Sequence, residues 1–141
     1  MDPAIHGRTV VFPSSTIARK GAIELREVAR ELGLTVRPCG PVIEGLDFWR
    51  GVPIERRDSR FFDGAACVVL PAWVEHWPRR LLTAVSAGVP VIASEACGLG
   101  GVRGVTTIPV GDQHALRSAV ALLTEEYGAL QQSVRHRFHV S

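Results

Sequence analysis

Apolar residues recur along this chain in two rhythms. Thr9-Val10-Val11-Phe12 is a short, β-branched run closed by Pro13, and it predicts a buried strand. Over 21–32 the rhythm turns helical. Ala22, Leu25, Ala29 and Leu32 share one face, while Glu24, Arg26, Glu27, Arg30 and Glu31 lie mostly off it. Gly33 stops this helix, and 34–39 predicts a second strand closed by Gly40-Pro41. Cys67-Val68-Val69-Leu70 and Pro90-Val91-Ile92-Ala93 read as two more buried strands. A helix over 78–87 lies between them, with proline in its first turn and Gly88 as its stop. A strand over 105–110 follows. Asp112 then caps a helix with Leu116, Ala119, Val120 and Leu123 on its apolar face. Leu130, Val134 and Phe138, spaced by four, predict a separate terminal helix over 129–138.

The stretch 41–58 is the least regular. Leu46-Asp47-Phe48-Trp49 suits a helical turn, and Val52-Pro53-Ile54 suits a short strand that its proline confines to an edge. A further short helix is expected over 59–64. Strands that alternate with helices imply parallel pairing and a sheet covered on both faces. The expected fold is therefore α/β: a three-layer α/β/α Rossmann-like domain with a mostly parallel sheet of about six strands. No repeat, linker or low-complexity segment interrupts it, so 1–141 reads as a single domain.

Composition narrows the function classes. The 141 residues are 46% hydrophobic and 21% charged, which excludes a disordered chain and allows a core without staples. No apolar run approaches the roughly 20 residues of a membrane span, and no basic-then-apolar leader is recognisable. Cys39, Cys67 and Cys97 cannot pair completely and have no Cys-x-x-Cys spacing. Free thiols in a reducing, cytoplasmic setting are the expectation. A net charge of +2 is too small to advertise a nucleic-acid partner. The five histidines show no metal-ligand spacing, so no metal site is expected. Arg56-Arg57 and Arg79-Arg80 read as solvated faces. One imbalance is left: fifteen arginines stand beside a single lysine, Lys20.

In an open α/β sheet, ligands bind at the carboxyl ends of the strands, and three such ends carry suggestive residues. Ser14, Ser15, Thr16, Arg19 and Lys20 follow the first strand, where hydroxyls and two cations near a helix N-terminus suit an anion such as phosphate. The same residues also read as a capped helix with two solvated charges. Trp73, Glu75, His76 and Trp77 precede the 78–87 helix. Glu75 can accept hydrogen bonds from ligand hydroxyls, or simply favour the helix dipole. Gly98, Gly100 and Gly101 allow close backbone approach to a ligand, or form a plain loop.

Taken together, these segments resemble group 1 glycosyltransferases of the glycogen-synthase-like type. The stretch Val68-Val69-Leu70-Pro71, Glu75, Pro78, then Leu81-Leu82-Thr83-Ala84-Val85-Ser86-Ala87-Gly88-Val89-Pro90-Val91-Ile92 is similar to that family's nucleotide-sugar signature. Arg19-Lys20-Gly21 resembles its Lys-Gly, and Gly111-Asp112 with Ala115-Leu116 resembles the opening of its late helix. The likeness runs from about Val10 to Leu123 and matches only the carboxyl-side domain of a two-Rossmann-domain (GT-B) fold.

The resemblance implies a domain that binds a nucleoside-diphosphate sugar, as substrate and without a cofactor or metal. Its partner would be an amino-terminal acceptor domain, or a second copy of the chain. Lys20, with Arg19, Ser14 and Ser15, would hold the diphosphate, and Lys20 and Glu75 would be the catalytic pair. Glu75 would orient the sugar with His76 and Trp77 beside it, Thr83 would lie near the ribose, and Gly98, Gly100 and Gly101 would approach the donor. Three departures stand out. Thr83 occupies the place of a second glutamate, His76 that of a glycine, and Ser15 that of an arginine. The other expectation is a non-catalytic Rossmann-like module that has lost the donor site and serves interaction or structure.

Overall fold

The computed structural model describes residues 8–139, with side chains as far as residue 133. Five parallel strands form one sheet: β1 (Thr9–Phe12), β2 (Thr35–Pro38), β3 (Cys67–Leu70), β4 (Val91–Ser94) and β5 (Val105–Ile108). Their order is β2-β1-β3-β4-β5. The helices are α1 (Ala22–Leu32), α2 (Arg79–Ser86) and α3 (Gln113–His139). The crossover through α1 moves one way along the sheet and that through α2 the other. Right-handed crossovers therefore put the two helices on opposite faces. α3 packs beside α1. The fold is the α/β Rossmann-like arrangement that the alternating rhythm predicts.

Every residue of β1, β3 and β4 is buried, as expected of strands covered on both sides. α1 turns Ala22, Leu25, Val28 and Ala29 inward, and α2 contributes Leu81 and Ala84. β5 is an edge strand that exposes Thr106 and Thr107. Asp112 Oδ1 accepts the Ala115 N–H at 2.9 Å, so this cap forms as the sequence predicts.

The structure corrects four expectations. The sheet has five strands among the described residues, not about six. Val52-Pro53-Ile54 supplies only a single bridge, Ile54 to Val36, because Pro53 has no N–H to continue the ladder. Residues 46–50 form the turn expected of Leu46–Trp49, but 61–64 form only a turn where a short helix over 59–64 is expected. The last two predicted helices are one. α3 runs through Gly128, whose cost of about 1 kcal/mol is tolerated within a helix of 27 residues. Leu130 is exposed, while the side chains of Val134 and Phe138 lie outside the described residues. Lastly, Ser14-Ser15-Thr16 do not cap α1. Its N-cap is Gly21, preceded by a 3-10 turn over Ala18–Lys20.

The irregular 41–66 segment is held by polar contacts that no periodicity reveals. Arg37 on β2 is fully buried. Its Nη1 donates to the carbonyls of Phe61 and Asp63 at 2.7 and 2.8 Å, and its Nη2 lies 3.0 Å from Glu55 Oε1. Thr16, also buried, accepts the Trp49 Nε1–H at 3.0 Å, and Trp49 packs edge-on against Phe12.

Candidate functional site

The sheet changes direction between β1 and β3: from β1 the chain first goes outward to β2, then returns past β1 to β3. Such a switch point leaves a crevice at the carboxyl ends of the two strands. A cleft of about 370 Å³ occupies that place, bounded by Pro13 after β1 and Leu70 at the end of β3.

Its near wall is built by two segments far apart in sequence. Gly21 adopts a left-handed conformation, φ +85°, and a Cβ there would lie 2.2 Å from the Pro71 carbonyl oxygen. Only glycine lets the entrance of α1 pack this closely on the exit of β3. The Trp73 N–H then donates to the Arg19 carbonyl at 2.8 Å. Lys20 Nζ donates to the Val74 carbonyl at 3.1 Å and to Glu75 Oε2 at 2.8 Å. Glu75 Oε1 accepts the Trp77 N–H at 3.0 Å. The side chains of Lys20 and Glu75 are 20% and 11% exposed, so water only partly screens the pair. Burial alone would raise the Glu75 carboxyl. The hydrogen bond from Lys20, the Trp77 N–H, and the charges of Lys20 and His76 outweigh it and hold the carboxyl below its ordinary range.

Of the predicted site residues, the cleft gathers Ser14, Ser15, Lys20, Glu75 and Trp77. Trp77 is 73% exposed at the rim. The others lie off it. Arg19 and His76 are exposed and do not line the cleft. Thr83 spends its hydroxyl on the Arg79 carbonyl of its own helix, at 3.0 Å. Gly98, Gly100 and Gly101 follow β4 on the exposed surface, beyond a 3-10 turn over Glu95–Cys97. Trp73 closes the outside of the wall: its Nε1 donates to Glu24 Oε2 at 2.8 Å, and its ring lies where a Cβ on Gly111 would sit.

Two lining residues escape a sequence reading. Arg79 and Arg80 open α2 on the far wall, and Arg80 Nη1 reaches the Pro13 carbonyl at 3.5 Å. A signal was present in the sequence. Cations in the first turn of a helix oppose its dipole, so an Arg-Arg pair behind Pro78 is locally unfavourable unless something anionic faces it. Among the described residues, no three metal-ligating side chains converge, and no helix is long and apolar enough to cross a membrane.

The arrangement is a polar cleft with one carboxylate, three cations and two hydroxyls, suited to a ligand with an anionic part and a hydroxylated part. No protein-family model matches the chain, and no curated protein does. Solved structures do. TarM matches at 14% identity and a TM-score of 0.66, over 88% of this chain and 30% of that one. The carboxyl-terminal domain of a group 1 glycosyl transferase (LpcC) from Francisella tularensis matches at 14% identity and 0.66, over 85% of this chain and 77% of that one. Sucrose-phosphate synthase from Thermosynechococcus elongatus matches at 20% identity and 0.61, over 94% of this chain and 46% of that one. The likeness is one of fold: this chain has the Rossmann-like architecture that forms one domain of these proteins.

Proposed function

We propose that the chain is the donor-binding domain of a glycosyltransferase and takes a nucleoside-diphosphate sugar in the cleft between β1 and β3. The observation that carries this reading is the convergence of Ser14, Ser15, Lys20 and Glu75 at the switch point of a sheet with this fold. Lys20 and the serine hydroxyls face the diphosphate, and Glu75 accepts hydrogen bonds from sugar hydroxyls. In transfer, the bond from the sugar C1 to the phosphate oxygen breaks and its electron pair leaves with the diphosphate. An acceptor hydroxyl forms the new bond to C1 and gives up its proton to the departing diphosphate. The cations stabilise the charge that grows on the departing diphosphate. The acceptor comes from a second domain, on the same polypeptide or on a partner, and transfer by this domain alone is slight.

Calorimetric titration of nucleoside diphosphates tests the reading. Saturable binding of at least one of them is expected, weakened by Lys20→Ala. A folded protein that binds none of them refutes it. A second reading, a module that kept the fold and lost the site, draws on Thr83, whose hydroxyl is bonded within α2 and does not line the cleft. The same titration separates the two.

A further inference from the structure

Lys20, on the near wall of the cleft, is already matched by Glu75 at 2.8 Å. Arg79 and Arg80, on the far wall, make no ion pair among the described residues. The lining therefore carries three cations against one carboxylate, an excess of two positive charges. His76, exposed and close enough for its charge to act on Glu75, adds no acid to the balance.

The placement of the two arginines is also unfavourable on its own terms. They are adjacent like charges at the positive end of α2, whose first turn contains no acidic residue. A local rule broken this way is retained where something else gains from it. An anion between the walls supplies that gain, since it relieves both the mutual repulsion and the opposition to the dipole. Ser14 and Ser15 line the same cleft and offer neutral donors to the same anion.

We infer that Arg79 and Arg80 are the principal diphosphate-binding residues of the cleft, supplying the charge that Lys20 spends on Glu75. The inference rests on the donor-binding reading for the identity of the anion. A diphosphate that links a nucleoside to a sugar carries two negative charges, equal to the excess on the lining. Guanidinium forks suit its oxygens, because each can bond two at once. Ser15, which stands where the resemblance leads one to expect an arginine, then needs no substitute from exposed Arg19. The positive charge reaches the cleft from α2.

Inorganic pyrophosphate, titrated calorimetrically into the full chain, tests the arginines separately from the nucleotide. The wild type is expected to bind it, and R79Q/R80Q to bind it at least about tenfold more weakly, as loss of charge-assisted bonds requires. The ligand-free Tm of R79Q/R80Q is expected to equal or exceed that of the wild type, because the removed charges oppose the helix dipole. Undiminished pyrophosphate binding by R79Q/R80Q overturns the inference, as does a wild type that does not bind pyrophosphate. A lowered Tm accompanying weaker binding assigns the arginines to structure and overturns it too. The donor-binding reading fails on a different result. If the arginines hold pyrophosphate but no nucleoside diphosphate binds more tightly than pyrophosphate does, the anion site stands and the nucleotide reading falls.

Discussion

Lys20 Nζ donates to Glu75 Oε2 at 2.8 Å, across 55 residues of sequence. One bond thus joins the 3-10 turn before α1 to the loop after β3. Lys20→Met removes the cation and leaves Glu75, 11% exposed, without its ionic partner. The expected loss is about 1–3 kcal/mol, between the values for surface and buried pairs. Chemical denaturation at pH 7 measures it, and a loss below a few tenths would show that the pair does not hold the wall together.

Acid should dissolve that bond in a definite order. Glu75 has its carboxyl lowered in the folded protein. Its ionised form therefore stabilises the fold at neutral pH. This contribution is fully present above the unfolded carboxyl value of about 4.3 and is lost as pH falls through the lower folded value. Glu75→Gln lacks it throughout. The stability gap between wild type and E75Q, read from urea midpoints, should be largest near pH 7 and narrow progressively as the pH falls below the unfolded carboxyl value. A gap independent of pH would contradict the assignment.

Gly21 and Gly33 form a matched pair for backbone strain. Both have positive φ, +85° and +68°, but a Cβ at Gly21 would strike the Pro71 carbonyl, whereas nothing lies within 4 Å of one at Gly33. Gly33→Ala should cost about 1 kcal/mol, the conformational penalty alone. Gly21→Ala adds a collision with backbone and should cost about 3 kcal/mol or more. Equal Tm losses in the two variants would mean that the close approach is relieved by a small shift.

Arg37 should govern the order of the segment after β2. Its Nη1 holds the carbonyls of Phe61 and Asp63, while its Nε is the one buried side-chain polar atom without a partner among the described residues. Arg37→Ala empties a buried volume and takes the donor from the Phe61 and Asp63 carbonyls, a loss of about 3 kcal/mol or more, while Glu55 keeps its pair with Arg57. Hydrogen exchange should show protection falling first over 61–66. Exchange that rises evenly across the sheet instead would deny Arg37 this local role.

The three thiols should differ in reactivity. Complete burial in β3 pushes Cys67 up to about 12, and burial also raises Cys97 and Cys39. Cys39 alone is half-exposed. Alkylation at pH 8, followed by mass spectrometry, should label Cys39 slowly and Cys67 only after unfolding. Labelling of Cys67 at the rate of Cys39 in folded protein would place β3 near solvent.

The strands were legible because burial on both faces writes them as unbroken apolar runs, such as Cys67-Val68-Val69-Leu70. The segment between β2 and β3 was not, because its order comes from Arg37 and Thr16, polar residues whose partners are distant in sequence. The gap after Leu123 in the apolar pattern suggested two helices, yet a partly solvated helix continues through polar residues and Gly128 without breaking. For the cleft, residue types revealed Lys20 and Glu75 as candidates, but not that they bind each other, a contact that exists only once β1 and β3 are neighbours. Arg79 and Arg80 are solvent-facing, as the sequence suggests; what it does not say is that their side of α2 borders the cleft.

The contact of Gly21 with Pro71 also bears on how such a cleft can change over evolution. The near wall is a seam of two backbones with no room for a Cβ, so neither half can drift without the other. Altered selectivity cannot come cheaply from moving that wall. It has to come from α2, whose exposed first turn accepts new side chains without disturbing the core. Lineages with this seam would diverge in what they bind mainly at positions 79 and 80.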